Sequence, residues 1–219
     1  MVTLTNSTKV SLKNSDIYVK EPQACGLNSI LAILVHLNCA NKVNLDDIKE
    51  IFDYDEDGIR DERYRFNKLN KYLNDKQIPY RFYPSKYESL SDLYKHLNNN
   101  MPVPVFFWLK ILNFTHRHYK TEYQMNLGDI FQSDNKHVLI LVGYENKGEK
   151  IFFIDPSYQM PWVPQSDNDL AKHYFAVDAK DFYECTRYLK TFIEVKYLKT
   201  EAKRYGRAKP QREKQVKLA

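Results

Sequence analysis

The cysteine at position 25 is the side chain of this sequence with the clearest capacity for covalent chemistry. Gly26 and an apolar run over residues 27–37 follow it, and their spacing predicts a buried helix. A thiol in the first turn of a helix lies near unpaired backbone N–H groups and the positive end of the helix dipole. Both favour the thiolate, which is the nucleophilic form. The sequence therefore predicts a nucleophile at the start of a central helix.

A base and an acid that could serve this thiol occur far downstream, at the two outer ends of a predicted β-hairpin. His137 precedes an apolar run over residues 138–142, and Asp155 follows a second run over residues 151–154. The outer ends of paired antiparallel strands are neighbours, so the carboxylate can lie beside the imidazole. An imidazole titrates near neutral pH, and a carboxylate on its other ring nitrogen fixes the tautomer. Cys25, His137 and Asp155 are thus a candidate catalytic triad.

The elements that must position these residues follow from the hydrophobic pattern. After the helix that begins at Cys25, helical spacing recurs near residues 45–52, 62–73 and 91–97. Strand-like segments follow at residues 103–108, 138–142, 151–154 and 191–197. Helices first and an antiparallel sheet second indicate the α+β class.

In this order, the segments resemble the papain-like cysteine peptidases, and within them the bacteriocin-leader-peptidase-like (double-glycine-peptidase-like) group. The matching segments are a nucleophile segment, a Pro-led strand, a His-led strand ending in Gly-Tyr, and an Asp-Pro pair: residues 23–29, 104–108, 137–144 and 152–156. The resemblance implies a bacterial thiol protease whose N-terminal helical part packs on a C-terminal antiparallel sheet. It implies that Cys25 is the nucleophile, His137 the general base and acid, and Asp155 the orienting residue.

The sequence departs from the family's pattern at the oxyanion hole. The family usually has a Gln about six residues before the cysteine, and that position is Val19 here. Gln23, two residues before Cys25, is the candidate replacement, together with the backbone N–H of Cys25. Loss of one oxyanion donor costs on the order of 100- to 1000-fold in rate.

These residues predict a peptidase that hydrolyses a peptide or isopeptide bond of a peptide or protein substrate through a thioester acyl-enzyme. Two alternatives remain open. The same triad could transfer the acyl group to an amine and form an amide, or the fold could bind a peptide without cutting it. The chemistry requires no cofactor, and the sequence has no phosphate-binding glycine loop or dinucleotide fingerprint.

An acidic segment after the second predicted helix has the spacing of a calcium loop. Asp53, Asp55, Asp57 and Asp61 occupy positions 1, 3, 5 and 9, with a glycine at position 6. Position 12 is Tyr64 and not an acidic residue. The competing interpretation is an acidic loop that caps the next helix. A calcium ion here would be structural and not catalytic.

The net charge of +5 is concentrated at the C-terminus. Residues 199–219 hold eight Lys and Arg against two Glu, a net +6, so the rest of the chain carries about −1. We predict a peptidase domain over residues 1–198 and a basic, flexible tail over residues 199–219. The tail is a candidate contact for an anionic surface or a nucleic acid.

Neither cysteine usage nor hydropathy indicates an extracellular scaffold or a membrane anchor. Three cysteines are an odd number, which argues against a disulfide framework. Residues 1–16 lack the apolar core of a signal peptide, and the longest apolar runs are too short to cross a bilayer. We expect a soluble protein, either cytoplasmic or exported without a classical signal.

Overall fold

The computed structural model of the 219-residue chain describes residues 7–12, 19, 24–55, 62–108, 136–154, 156, 174–186 and 189–198. The helices are α1 (Cys25–His36), α2 (Leu45–Ile51), α3 (Glu62–Asp75), α4 (Leu90–Asn98) and α5 (Ala179–Thr186). The strands are β1 (Thr8–Lys9), β2 (Tyr80–Lys86), β3 (Val103–Trp108), β4 (Lys136–Glu145), β5 (Lys150–Ile154), β6 (Tyr174–Asp178) and β7 (Thr191–Tyr197).

The described strands form one antiparallel sheet in the order β2-β7-β3-β4-β5-β6, with β1 paired to the far end of β4. β4 and β5 are adjacent, and Ile140 lies opposite Ile154. A short 3-10 turn, Asn146–Gly148, joins them. The predicted hairpin is therefore confirmed, with longer strands than the apolar runs alone indicated.

Helices cover both faces of the sheet, and β4 contributes side chains to both. Val138 and Ile140 pack in a cluster with α1, α2 and α3, whereas Leu139 and Leu141 pack in a second cluster with α4 and α5. This alternation is the pleat of a strand buried on two sides. Helix α1 is covered almost all round, because its ten residues from Cys25 to Val35, apart from Gly26, are all buried. The α+β prediction and the buried central helix are confirmed.

The N-terminal part is less purely helical than the pattern predicted. Strand β2 precedes α4, and strand β6 and helix α5 precede β7. The described sheet ends at β2 on one side and at β6 on the other. An edge strand has one unpaired side, tolerates a proline such as Pro84, and needs less regular hydrophobic alternation. Its sequence signal is correspondingly weak.

Strand β1 pairs with β4 near its C-terminal end, where the chain has Gly143. The pairing places Lys9 opposite Gly143, and a Cβ at position 143 would collide with the backbone oxygen of Thr8. Asn98 on α4 holds the same corner, since its Oδ1 accepts from Thr8 Oγ1 at 3.0 Å and from the Tyr144 hydroxyl at 2.6 Å. Gly143 and Tyr144, near the end of β4, therefore allow β1 to pack there.

Within the described ranges, no helix is long and apolar enough to cross a bilayer. The predicted tail, residues 199–219, lies outside the described residues, so its separation from the domain stays a prediction.

Candidate active site

Cys25 is the first residue of α1, and its side chain is buried at 8% exposure. The residue before it, Ala24, has no side chain that can cap the helix, and the first turn contains no acidic residue. The backbone N–H groups of this turn therefore meet neither a capping oxygen from Ala24 nor a neighbouring carboxylate within the turn. A helix start of this kind can stabilise a negative charge that develops beside it, such as the oxygen of a tetrahedral intermediate.

Asn28 ties the first turn of α1 to two other segments. Its side chain is fully buried. The Oδ1 atom accepts a hydrogen bond from the Val19 N–H at 2.8 Å, and Nδ2 donates to the Val19 carbonyl at 2.9 Å. Nδ2 also donates to the Pro156 carbonyl at 2.9 Å. The start of α1 is thus bound to a residue of the preceding segment and to the residue that follows position 155.

His137 is the second residue of β4, pairs opposite Phe107 of β3, and is 6% exposed. The pleat places it on the same face as Leu139, opposite the face on which α1 packs. The bond from Asn28 to Pro156 places the start of α1 near the end of β5, which neighbours the start of β4. Cys25 and His137 therefore lie toward the same end of the sheet, with the His137 side chain on the face opposite α1.

Two of the predicted site residues, Asp155 and Gln23, lie outside the described residues. Their chain neighbours are described: Ile154 ends β5 opposite Ile140, and Ala24 precedes α1. The roles of Asp155 as the orienting carboxylate and of Gln23 as an oxyanion donor stay predictions.

Val19 occupies the position where the resembling family usually has its oxyanion glutamine. Its side chain is 4% exposed and packs in the α1 cluster. An isopropyl group in the core supplies no hydrogen-bond donor. The Val19 backbone is nevertheless bound to α1 through Asn28, although the Val19 side chain has no polar role.

Sequence reasoning missed Asn28 as a component of this site. The signal in the sequence was an amide side chain that, with the neighbouring Ser29, interrupts the apolar residues of a buried helix. A buried amide needs hydrogen-bond partners, so such a residue predicts a contact with irregular backbone. The identity of that backbone, Val19 and Pro156, could not be read from the helix.

The second described cysteine, Cys39, has different surroundings. It is free, and its Sγ lies 3.4 Å from the Leu37 carbonyl. Burial raises the pKa of the Cys39 thiol, and the charge of Lys42 opposes that shift. A thiol whose pKa is raised is a poorer nucleophile at neutral pH.

The predicted calcium loop is described only in part. Asp53 forms an ion pair with Arg65 on α3, and both Asp57 and Asp61 lie outside the described residues. Among the described residues, no group of three or more His, Cys, Asp or Glu side chains is arranged to hold a metal ion. Calcium binding by Asp53, Asp55, Asp57 and Asp61 stays a prediction, in which Arg65 would compete for the first ligand.

Comparison with known proteins places the chain in a family. The sequence profile of the Peptidase_C39 like family matches residues 10–189. No functionally curated protein matches the chain. Among solved structures, a candidate C39-like peptidase from Bacillus anthracis aligns with a TM-score of 0.51 and 15% identity, over 89% of this chain and 98% of the other. That likeness concerns the fold alone. Because the profile match spans most of the sequence, the predicted family is confirmed: the chain belongs to the Peptidase_C39 like family.

Proposed function

We propose that this chain is a cysteine peptidase that hydrolyses a peptide or isopeptide bond, with Cys25 as the nucleophile, His137 as general base and acid, and Asp155 orienting the imidazole. Family membership supports the peptidase class. The observation that carries the residue assignment is the hydrogen bond from Asn28 to Pro156. It ties the turn that begins with Cys25 to the residue after Asp155, at the end of the sheet where His137 lies.

The proposed reaction proceeds in two halves. The Cys25 thiolate attacks the scissile carbonyl, and the resulting oxyanion is stabilised by the backbone N–H of Cys25 and by Gln23. The imidazolium of His137 gives its proton to the leaving amine as the C–N bond breaks, which leaves a thioester on Cys25. His137 then takes a proton from water, the hydroxide attacks the thioester, and the thiol leaves with that proton. The carboxylic acid is released and the enzyme is restored.

The proposal is tested by the rate at which iodoacetamide alkylates Cys25 as a function of pH, located by peptide mass spectrometry. We expect an inflection well below the ordinary thiol value of about 8.5. The His137→Ala variant should move the inflection up to that value. Cys39, whose pKa is raised by burial, serves as the internal reference and should react more slowly than Cys25 at neutral pH.

A matched control is His36→Ala, because His36 ends α1 at the opposite end of the helix and its Nε2 lies 2.6 Å from the Asn100 carbonyl. This change should leave the inflection in place. A wild-type inflection near 8.5 that is indifferent to His137 would overturn the catalytic assignment. Analysis of products from an acyl donor with and without added amine then separates hydrolysis from acyl transfer.

A second candidate function is peptide binding without cleavage. The observation that favours it is Val19, whose side chain lies in the core where the family usually has a donor. A chain of this kind would bind a peptide, but the pH dependence of Cys25 alkylation would have no inflection below the ordinary thiol value. The alkylation profile therefore distinguishes the two candidates.

A further inference from the structure

We infer that Asn28 is a positioning residue of the proposed peptidase site. Its hydrogen bond to Pro156, the neighbour of Asp155 in sequence, holds that residue against the turn that carries Cys25. This inference rests on the proposed function. It assigns a role to a residue outside the predicted triad, and it concerns geometry and not contact with the substrate.

The first support is the completeness of the hydrogen bonding around the amide. Asn28 is fully buried, and both hydrogens of its Nδ2 are used, one on the Val19 carbonyl and one on the Pro156 carbonyl. Its Oδ1 accepts from the Val19 N–H. A primary amide supplies two donors and an acceptor from one short side chain, which no hydroxyl or carboxylate of similar size can do. Replacing it leaves buried backbone groups without hydrogen-bond partners, which destabilises the folded chain.

The second support is where the three bonded segments lie relative to the proposed chemistry. Asn28 is three residues after Cys25, so the two side chains project from neighbouring positions on α1. Pro156 is joined to Asp155 by one peptide bond. A shift of the Pro156 carbonyl therefore moves the backbone of Asp155 with it. A misplacement of about 1 Å in a catalytic constellation can cost about 100-fold in rate.

The chain offers a matched control at Asn70. Asn70 on α3 makes the same pair of hydrogen bonds to one backbone residue that Asn28 makes to Val19, and we call this pair an amide clamp. Its Oδ1 accepts from the Phe82 N–H of β2 and its Nδ2 donates to the Phe82 carbonyl, both at 2.8 Å. This clamp joins a helix to the edge strand of the described sheet and involves none of the proposed catalytic residues. Its loss measures the general cost of removing an amide clamp.

The test compares Asn28→Leu with Asn70→Leu in the full chain. Both changes are neutral in charge, so an altered pH profile reflects position and not an added charge. The melting temperature of each variant is measured, and then the pH dependence of Cys25 alkylation below the lower melting temperature. Both variants should melt earlier than wild type. Only Asn28→Leu should move the alkylation inflection upward, and an inflection that lies one pH unit higher lowers the thiolate fraction at pH about 6 roughly tenfold.

Should either leucine variant fail to fold, Asn28→Ser and Asn70→Ser repeat the comparison with smaller side chains. An unchanged inflection in a folded Asn28 variant overturns the inference, and so does an equal shift in the Asn70 variant. In both cases a low wild-type inflection that depends on His137 leaves the proposed function standing. A wild type without that inflection removes the proposed function, and this inference with it.

Discussion

At the scale of single residues, the proposed oxyanion hole is where the sequence departs from the pattern of the papain-like peptidases that it resembles. Val19 is a core residue that Asn28 holds by its backbone. Its side chain stabilises the fold through burial and has no donor to offer. A side-chain hydrogen-bond donor for the oxyanion must therefore come from another residue, and Gln23 is the proposed one.

We therefore expect Gln23→Ala to affect the acylation rate and Val19→Ala to affect stability. Gln23→Ala should slow acylation of Cys25 by p-nitrophenyl acetate by about 100-fold, the typical loss for one oxyanion donor. Val19→Ala should leave acylation within a few-fold and lower the free energy of unfolding by about 1–3 kcal/mol, as truncation of a buried aliphatic side chain does.

Stopped-flow release of nitrophenolate gives the first quantity and urea unfolding gives the second. Acylation that is unaffected by Gln23→Ala would remove this residue from the oxyanion hole. The backbone N–H of Cys25 would then be its proposed donor.

At the scale of secondary-structure elements, the contact between α4 and β7 contains a titratable group. The ring of His96 on α4 packs against Phe192 of β7, with 5.3 Å between ring centroids. Burial lowers the pKa of His96 from its ordinary value of 6.5, and the charges of Lys95 and Lys196 add to that shift, while Glu194 and Asp92 oppose it. The neutral ring is therefore the form that this packing favours.

This gives stability a pH dependence of known sign. The unfolded chain protonates His96 at a higher pH than the folded chain does, so the unfolded state binds more protons as pH falls below about 6.5. The free energy of unfolding should then decrease from about pH 7 toward pH 5. The His96→Gln variant, which does not titrate, should lack this part of the decrease. Urea titrations of both proteins across that range measure the difference, and identical pH dependences would contradict the assignment.

At the scale of the whole molecule, the charge distribution separates the two predicted parts of the chain. Residues 199–219 carry a net +6, and the remainder carries about −1. A segment with this charge is attracted to polyanions through counterion release, and the attraction falls as salt increases. The attraction requires no particular structure of the tail.

We expect the full chain to elute from a heparin column at a higher salt concentration than a chain that ends at Leu198. Cys25 alkylation should be the same in both, since the tail lies outside the matched family region. Equal elution of the two proteins would show that the tail's charge is compensated within the molecule. Slower alkylation of Cys25 in the shortened chain would contradict the predicted domain boundary at residue 198.

The sequence by itself determined the elements whose signals are local. The apolar run after Cys25 predicted α1, helical spacing near residues 45–52 predicted α2, and the paired runs around residues 138–142 and 151–154 predicted the hairpin, because periodicity depends on neighbours a few residues away. In the structure, Asn44 caps the start of α2, since its Oδ1 accepts from the Asp46 N–H at 2.7 Å. The ordered segments also indicated the family, which the profile match confirms.

Only the tertiary structure decided which distant segments meet at the start of α1. The bonds from Asn28 to Val19 and Pro156 join positions 9 and 128 residues away from Asn28 in sequence. The edge strands β2 and β6 likewise acquire their place from one neighbour each, β7 and β5. Contacts of this kind depend on how the chain closes long loops around a shared core, and a local pattern contains no record of that closure.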